Sequence, residues 1–306
     1  MANEARYTAL DKTVRDYLPD LKWVADEPMA RHTSFRIGGP AKRMAFPQTR
    51  EQLVVLTGFL QEAGIEPLLI GNGTNLLAAD EGLDTVVINT ADRLSHMALL
   101  EEGVIEADAG VSLCQLALFA WKHRLTGLEF AHGIPGTLGG GIVMNAGAYG
   151  GEMKDAVAGV TALYRDGIKA LTPAELDFSY RRSVFSVGEG IVLGAKVKLE
   201  RGDPDAIKAK MDDLMARRRA SQPLEVPSAG STFKRPAGYY AGPLIEGCGL
   251  KGCRVGGAEV SPKHAGFVVN AGGATCADVL ALIEKVQKTV YDARGVMLEP
   301  EVKIIR

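Results

Sequence analysis

The sequence predicts an α+β fold divided into at least two domains, and three observations support this prediction. Helix-like and strand-like patterns alternate along the chain. The chain has 306 residues, 46% of them hydrophobic, which is enough to bury several cores. The segment RGDP at 201–204 separates a strand pattern from a long helix pattern. We therefore expect a first domain over 1–200 and a second domain over 201–306.

Helices are predicted where apolar residues recur at helical spacing, often behind a capping residue. Ser112 is a candidate N-cap, and both Thr172 and Thr275 begin capping-box patterns. The arginine-rich C-terminal end of the predicted helix over 206–221 suits the negative end of a helix dipole. The four predicted helices are TREQLVVLTGFLQEAG (49–64), SLCQLALFAWKHR (112–124), AIKAKMDDLMARRRAS (206–221) and TCADVLALIEKVQKTVYDARG (275–295).

Strands are predicted from short apolar runs and from alternation of apolar and polar residues. In the last predicted strand, Glu299, Glu301 and Lys303 share one face, opposite Leu298 and Val302. A strand with that pattern is ordinarily half-buried, with its charged face in solvent. The predicted strands are PLLIG (67–71), TVVINT (85–90), VIEADAG (104–110), AVAGVTAL (156–163), IVLGAKVKL (191–199), HAGFVVN (264–270) and VMLEPEVKII (296–305).

Composition excludes several classes of function. A net charge of -2 lacks the basic excess that nucleic-acid binding usually needs. The N-terminus has no apolar secretory region, and no apolar run approaches the roughly 18 residues of a membrane span, so we expect a cytoplasmic protein with no membrane partner. The cysteines and histidines lack metal-ligand spacing, so no metal site is expected. The four cysteines, read as small hydrophobic residues in a reduced setting, are Cys114, Cys248, Cys253 and Cys276.

Two glycine-rich segments are the candidate ligand sites. GNGTN (71–75) follows a predicted strand, and such a loop can aim backbone N–H groups at an anion, although an ordinary turn also explains it. The segment 133–151, GIPGTLGGGIVMNAGAYGG, has eight glycines in nineteen residues. Bare backbone there could lie against a flat ring, or it could form a tightly packed loop. Neither segment is a Rossmann or P-loop motif, and together they suggest a dinucleotide such as a flavin.

Six motifs occur in an order that resembles the UDP-N-acetylenolpyruvoylglucosamine reductases, the MurB family, over roughly 30–306. The resemblance implies a two-part α/β cradle that holds FAD, of the PCMH or vanillyl-alcohol-oxidase type, with parts at about 30–90 and 91–200. It also implies a smaller α+β substrate domain over 201–306. The last strand could return to the N-terminal part. The six motifs are RHTSFRIGG, GNGTNLL, GIPGTLGGGIVMNAGAYGG, FSYRRSVF, AGSTFKRP and LEPEVKII.

The resemblance implies an NADPH-dependent reduction of UDP-N-acetylglucosamine enolpyruvate to UDP-N-acetylmuramate, in peptidoglycan synthesis. Arg181 matches the arginine that grips the substrate carboxylate, and Ser231 matches the proton donor. Glu301, rather than Glu299, matches the third catalytic group. GNGTN is expected to receive the FAD pyrophosphate, and the second glycine segment the ribityl and isoalloxazine parts. The expected cofactor residues are Gly71, Asn72, Gly73, Thr74, Asn75, Gly133, Ile134, Pro135, Gly136, Gly139, Gly140, Asn145, Ala146 and Gly147.

The expected substrate residues are Tyr180, Lys234, Arg235 and Lys263. Arg235 stands where the family often has asparagine, so the sequence leaves open whether the substrate contact of that asparagine is made here. An arginine could hold a diphosphate bidentately. The short spacing from Arg181 to Ser231 resembles the branch that lacks an extra tyrosine-bearing loop over the substrate. His264 is expected to be a structural residue.

Two alternatives stay open from the sequence. One is an FAD-dependent oxidase of the wider PCMH-type group, which has no evident use for the set Arg181, Ser231 and Glu301. The other is a noncatalytic binder of nucleotide sugars, which would lack the yellow absorption of a bound flavin. Under the preferred interpretation, which follows the resemblance, the expected partners of the protein are UDP-N-acetylglucosamine enolpyruvate and NADPH.

Overall fold

The computed structural model describes residues 2–91, 93–101, 103–186 and 188–306, with the side chains described from residue 4 onward. Seven α-helices occur in this described part, together with short 3₁₀ turns. None of its helices is long and apolar enough to cross a membrane. The α-helices are α1 (Ala2–Tyr17), α2 (Arg50–Glu62), α3 (Leu113–Lys122), α4 (Leu138–Val143), α5 (Pro204–Ser221), α6 (Ala241–Gly247) and α7 (Cys276–Arg294).

The strands are short, and most of them belong to small sheets. Those of the first half of the chain are β1 (Lys22–Pro28), β2 (Pro40–Phe46), β3 (Leu68–Ile70), β4 (Leu76–Ala78), β5 (Leu83–Asn89), β6 (Met97–Glu101), β7 (Val104–Asp108), β8 (Leu125–Thr126), β9 (Gly147–Ala148) and β10 (Gly151–Glu152). Those of the second half are β11 (Val157–Tyr164), β12 (Gly167–Leu171), β13 (Ile191–Lys198), β14 (Glu200–Arg201), β15 (Arg254–Val255), β16 (Ala258–Val260), β17 (Val268–Asn270) and β18 (Lys303–Ile305).

Tertiary contacts divide the chain into two compact units. The first unit is Met1–Val24, Arg43–Gly71 and Thr85–Arg217, and the second is Ala25–Lys42, Asn72–Asp84 and Arg218–Arg306. These units alternate along the chain, whereas the expected domains are continuous, so the assignment of domains at 1–200 and 201–306 stays a prediction.

The first unit contains a five-stranded sheet in the order β12-β11-β13-β7-β6, whose neighbouring strands are antiparallel. Strand β3 and the parts of β1, β2 and β5 that belong to this unit form a sheet in the order β1-β2-β5-β3, in which β3 and β5 pair in parallel. Helices α2 and α3 bury their apolar faces, including Leu53, Leu56 and Leu116, in one continuous core. The apolar face of α1 adds Tyr7 and Val14 to that core.

The second unit packs helices α6 and α7 with the sheet β15-β16-β17. Three residues from early segments, Phe35, Ile37 and Leu77, join the same core as Val279 and other residues of the C-terminal part. Burial of those side chains explains why the early segments belong to this unit. Strand β18 pairs in parallel with β4.

Helix patterns predicted the structure well. The four predicted helices are confirmed as α2, α3, α5 and α7. Ser112 caps α3 and Thr275 caps α7, each with a complete capping box. The box at Thr172 is present, but it begins the 3₁₀ turn Pro173–Leu176. Helices α1, α4 and α6 were not predicted, although Tyr7, Leu10 and Val14 recur on one buried face of α1.

Two of the predicted strands are less than half as long as expected. The last one is wrong over 296–302, because only Lys303–Ile305 is a strand. Pro300 has no N–H group for a continuous ladder, and its segment makes one isolated bridge to Phe233 instead. The strand predicted over 264–270 is limited to Val268–Asn270, since the residues before it form a turn in which Phe267 N donates to His264 O at 3.0 Å.

Candidate functional site

The glycine segment 133–151 is partly helical, which corrects the expectation of a bare loop. Thr137 caps α4, and its Oγ1 accepts a hydrogen bond from Gly140 N at 3.4 Å. A Cβ added at Gly139 would lie 3.0 Å from Ala109 Cβ, and one at Gly141 would lie 3.2 Å from Leu113 Cδ1. These two glycines therefore serve helix packing.

Gly140 differs from its neighbours because it is exposed. A Cβ added there would meet only Thr137 Oγ1 within 4 Å, at 3.5 Å. The turn before α4 also presents backbone donors: the N–H groups of Gly133 and Gly136 make no hydrogen bond within the described residues. Gly136 O is occupied by Leu113 N at 2.9 Å, which holds the turn against α3. One face of this segment is thus open and rich in unused donors.

The loop 71–75 contains a second group of unused donors. Gly73 has φ +59°, and its O accepts from Ser34 N at 3.1 Å. A Cβ at Gly73 would lie 2.0 Å from His32 O, so only glycine fits. Among the described residues, the N–H groups of Gly73 and Thr74 have no acceptor. A left-handed glycine beside free N–H groups is the conformation of an anion-binding nest.

The two ends of that loop have structural tasks. Gly71 approaches Thr137 so closely that an added Cβ would lie 2.1 Å from Thr137 Oγ1. Asn75 donates from Nδ2 to Glu301 O at 3.2 Å and accepts at its O from Lys303 N at 2.9 Å. The Asn75 side chain therefore holds the segment that carries Glu301.

Arg181 lies in a tight turn of the first unit. Ser179 and Arg182 exchange backbone hydrogen bonds of 3.1 and 3.2 Å, and Arg181 between them has φ +55°. A non-glycine residue held in this region is strained by about 1 kcal/mol or more, a feature that clusters at functional sites. The Arg181 guanidinium donates to Gly147 O at 3.0 Å, which joins the turn to the glycine segment. Tyr180, under that guanidinium at 5.1 Å, is half exposed.

Ser231 lies in the second unit on a firmly held stretch of chain. Its neighbour Thr232 is buried, donates from N to Gly266 O at 2.8 Å, and accepts at Oγ1 from Val268 N at 2.8 Å. Ser231 itself is exposed, and its hydroxyl has no hydrogen-bond partner in the described chain. The structure therefore presents a free hydroxyl on a fixed backbone.

Glu301 lies beside this stretch. Its N donates to Thr232 O at 2.8 Å, and it is half-buried. Glu299 is more exposed, with 69% of its side chain accessible, and pairs with Lys234. The second unit thus brings together Asn75, the Ser231 segment and Glu301, whereas Glu299 faces outward.

The remaining predicted substrate residues are engaged with their own unit. The Arg235 guanidinium lies 4.0 Å from the ring centre of exposed Tyr240. Lys263 donates from Nζ to Arg219 O at 2.8 Å, lies 3.6 Å from a carboxylate oxygen of Glu225, and lines a cavity of about 250 Å³. That ammonium is already partly neutralised.

His264 and the cysteines have structural surroundings. His264 Nδ1 accepts from Gly266 N at 3.1 Å, and burial lowers the pKa of the imidazole. Burial raises the pKa of the Cys276 thiol to about 11 and also raises that of Cys114. In the described residues no group of three His, Cys, Asp or Glu side chains could hold a metal ion.

Sequence reasoning missed three polar residues around the glycine segment. Ser183 and Ser186 both donate from Oγ to Val143 O, and Glu152 accepts from Asn145 Nδ2 at 3.1 Å. Ser183 and Ser186 belong to the quoted motif FSYRRSVF and its continuation, so a serine spacing of three was the available signal. Ala146 and Ile134 are half-buried and pack against the first unit's core.

Comparisons with known proteins agree with this architecture. Residues 41–170 match the model of an FAD binding domain, and residues 222–305 match the C-terminal domain of UDP-N-acetylenolpyruvoylglucosamine reductase. The fold and these matches define an α+β protein with an FAD-binding domain, of the flavin-dependent oxidoreductase class.

Relatives give the family. A UDP-N-acetylenolpyruvoylglucosamine reductase of Caldanaerobacter subterraneus subsp. tengcongensis is 51% identical over 95% of this chain and 96% of its own length. One from Clostridioides difficile is 49% identical over 92% of both chains. The crystal structure of that reductase from Thermus caldophilus matches with a TM-score of 0.80 and 35% identity, over 94% of this chain and 99% of the other. The chain belongs to the UDP-N-acetylenolpyruvoylglucosamine reductase family.

Proposed function

We propose that this protein uses NADPH and FAD to reduce UDP-N-acetylglucosamine enolpyruvate to UDP-N-acetylmuramate. Membership of the family, with 51% identity to a relative over 95% of the chain, supports the reaction. The observation that carries the proposal for this chain is the Ser231 hydroxyl, which is exposed beside the Glu301 segment and has no hydrogen-bond partner among the described residues. The reaction needs a proton donor that is not already committed to the fold.

The residues present fit FAD. In the second unit, the N–H groups of Gly73 and Thr74, which have no acceptor in the described part of the chain, suit a pyrophosphate. In the first unit, the N–H groups of Gly133 and Gly136, likewise without an acceptor there, and the open side of Gly140 suit a flat ring or its linker. When bound, FAD would accept hydride from NADPH and supply it to the enolpyruvyl double bond. The chain's own residues must then grip the substrate and provide the proton.

Arg181 would hold the substrate carboxylate. Hydride addition to the terminal methylene builds enolate charge on that carboxylate, and a cation already in place stabilises it without reorganising. A planar guanidinium can bind a carboxylate bidentately, which a lysine cannot do. The strained turn and the bond to Gly147 O limit the orientations of the guanidinium before substrate arrives.

Ser231 would then give its proton to the carbon that bears the ether oxygen. The backbone at Ser231 does not have to move for this proton transfer, because the neighbouring Thr232 is fixed by hydrogen bonds to Gly266 and Val268. A serine hydroxyl is a weak acid, so the transfer requires hydrogen bonds or positive charge that stabilise the alkoxide left behind. Glu301, whose backbone is bonded to Thr232 O, would orient the substrate or assist that transfer.

The nucleotide-sugar part of the substrate would be held by Tyr180, Lys234, Arg235 and Lys263. Arg235 suits this task best, because its guanidinium is exposed and stacked on Tyr240. Lys234 and Lys263 would have to leave their partners Glu299 and Glu225 to bind a diphosphate. A cytoplasmic location accompanies this proposal, because NADPH and nucleotide sugars are cytoplasmic reactants.

The test separates the two half-reactions by stopped flow. NADPH should bleach the flavin of the Ser231→Ala variant at nearly the wild-type rate, while reoxidation by UDP-N-acetylglucosamine enolpyruvate should slow by at least about 100-fold. Ser228→Ala is the matched control, because Ser228 lies three residues before Ser231 and its hydroxyl has no hydrogen-bond partner among the described residues. Its backbone O, which the change leaves in place, accepts from Ser34 Oγ at 2.6 Å. Equal slowing of both half-reactions would remove Ser231 from the proton-donor role.

Two results would favour the alternatives. Reduction of the flavin by a small alcohol or sugar, followed by rapid reoxidation by oxygen and no reoxidation by the enolpyruvyl compound, would indicate an oxidase. Purified protein that takes up no FAD but binds UDP-N-acetylglucosamine would indicate a noncatalytic binder.

A further inference from the structure

Asn145 is a completely buried carboxamide at the middle of the glycine segment. It has φ +41°, and none of its surface is exposed. Its Nδ2 donates to Glu152 Oε2 at 3.1 Å and to Ser179 O at 3.0 Å, while its Oδ1 accepts from Lys154 N at 3.0 Å. Both amide hydrogens are therefore committed inside the protein, so the Asn145 side chain has no donor left for a cofactor.

The partners determine which way the carboxamide points. A carboxylate and a carbonyl can only accept, and the Lys154 N–H can only donate. Rotating the amide by 180° would place Oδ1 against two acceptors and Nδ2 against a donor. Only one orientation of Asn145 is therefore compatible with Glu152, Lys154 and Ser179 together.

The bond to Ser179 O reaches the turn that presents Arg181. Ser179 is the first residue of that turn, and its O also accepts from Arg182 N at 3.2 Å. Arg181 occupies the third position with φ +55°, where a turn of this kind normally has glycine or asparagine. An unfavourable conformation at Arg181 persists only when surrounding bonds hold it.

Neighbouring residues complete a seam between the glycine segment and the turn. Gly147 O accepts from Arg181 Nη2 at 3.0 Å, and Val143 O accepts from Ser183 Oγ at 2.9 Å. Alternate residues of the glycine segment, at 143, 145 and 147, therefore contact the stretch 179–186. Of these three contacts, only Asn145 uses a side chain on the glycine segment, and it bonds the first residue of the turn.

We propose that Asn145 is a positioning residue that holds the strained turn at Ser179 and thereby orients the Arg181 guanidinium. The inference rests on the proposed function for the role of Arg181, but not for the hold on the turn. It replaces the expected cofactor contact of the Asn145 side chain with a structural link from the glycine segment to the substrate-gripping residue.

The first test needs neither cofactor nor substrate. Asn145→Gly removes the carboxamide and tolerates the positive φ, so the backbone of the glycine segment is not strained by the change. In flavin-free protein, we expect hydrogen exchange at the Arg182 amide to accelerate by at least about tenfold. Asn145→Asp keeps the volume but places an oxygen against Glu152 and Ser179 O, and it should give the same acceleration. Unchanged exchange in these variants would overturn the proposal.

Ser186→Ala is the matched control. It removes two hydrogen bonds from the same seam, the one from Ser186 Oγ to Val143 O and the one that Ser186 Oγ accepts from Ser183 N at 2.9 Å. Ser183 Oγ still donates to Val143 O, and Asn145 still holds Ser179. Exchange at Arg182 should then stay within about twofold of wild type. Equal acceleration in the control would mean that the seam as a whole, and not Asn145, holds the turn.

The second test asks whether the effect passes through Arg181. Asn145→Gly should slow flavin reoxidation by the enolpyruvyl substrate by about 10- to 100-fold and leave bleaching by NADPH nearly unchanged. In an Arg181→Ala background, the same change should add no further slowing. The same additional slowing in both backgrounds would contradict positioning through Arg181. Wild-type protein that the substrate does not reoxidise would refute the proposed function, and the exchange data would still decide whether Asn145 holds the turn.

Discussion

Gly140 offers the sharpest test of the proposed flavin site, because protein stability and cofactor binding should change in opposite directions. The residue lies within α4, is exposed, and has ordinary helical space for a side chain. An added Cβ would meet only Thr137 Oγ1, at 3.5 Å, which is ordinary van der Waals contact. A larger side chain here therefore projects from the protein surface on which we place the cofactor.

The expected magnitudes follow from these distances. Alanine is favoured over glycine in a helix interior by roughly 1 kcal/mol, so flavin-free Gly140→Ala should be about 0.5–1 kcal/mol more stable than wild type. Gly139→Ala is the contrast, because its Cβ would lie 3.0 Å from Ala109 Cβ and 3.2 Å from Ala109 O. Overpacking against that backbone should destabilise the protein by about 1–3 kcal/mol.

The assay combines urea unfolding of the flavin-free variants with FAD titration followed by flavin fluorescence. Gly140→Val should weaken FAD binding by at least about 100-fold, which corresponds to roughly 2.7 kcal/mol. Affinity for FAD within threefold of wild type in Gly140→Val would refute the placement of the cofactor on this face. A loss of stability in flavin-free Gly140→Ala would show that the face is not open.

Two further predictions concern charged groups. Arg181→Lys keeps the charge but loses the planar guanidinium that contacts Gly147 O. Flavin reoxidation by substrate should therefore slow by about 100-fold, while bleaching by NADPH should be unchanged. A wild-type rate of reoxidation would contradict the role of Arg181. The Arg43 guanidinium, bonded to Asp11 at 2.6 and 2.7 Å, holds the pKa of that carboxyl below its ordinary value of 3.8. The stabilisation of the folded protein by the Asp11–Arg43 pair should therefore be complete above pH 3.8 and be lost as the pH falls through the lowered pKa. In urea unfolding at pH 7, Asp11→Asn should be about 2–4 kcal/mol less stable than wild type. This difference in stability should shrink only below about pH 4. A difference that does not depend on pH would contradict the ion pair.

Local patterns predicted those elements whose determinants lie close together in sequence. Ser112 and Thr275 cap α3 and α7 because a capping hydroxyl and its N–H partner are three residues apart in the chain. The last strand was predicted too long because alternation of side chains continues through Leu298 and Val302, which are buried as expected. Alternation does not report whether a segment has a continuous partner, and Pro300 interrupts the pairing.

In the candidate site, too, features encoded locally were predicted and features that depend on distant residues were not. GNGTN was identified from composition, and the structure gives Gly73 the left-handed conformation that a nest requires. The task of each glycine in the second segment could not be predicted, because it depends on what the other elements place opposite. Gly139 faces Ala109 while Gly140 faces outward, although the two are identical in sequence terms and adjacent.

The sequence by itself determined the fold class, most helices with their caps, the two glycine segments and the family, since all of these are encoded in local spacing and ordered motifs. Only the tertiary structure decided that the Asn145 carboxamide donates to Glu152 and Ser179, and that the Ser231 hydroxyl has no hydrogen-bond partner within the part of the chain that the structure describes. The physical reason is that a polar group's role depends on which partners remain unsatisfied around it, and residues far apart in the chain supply those partners.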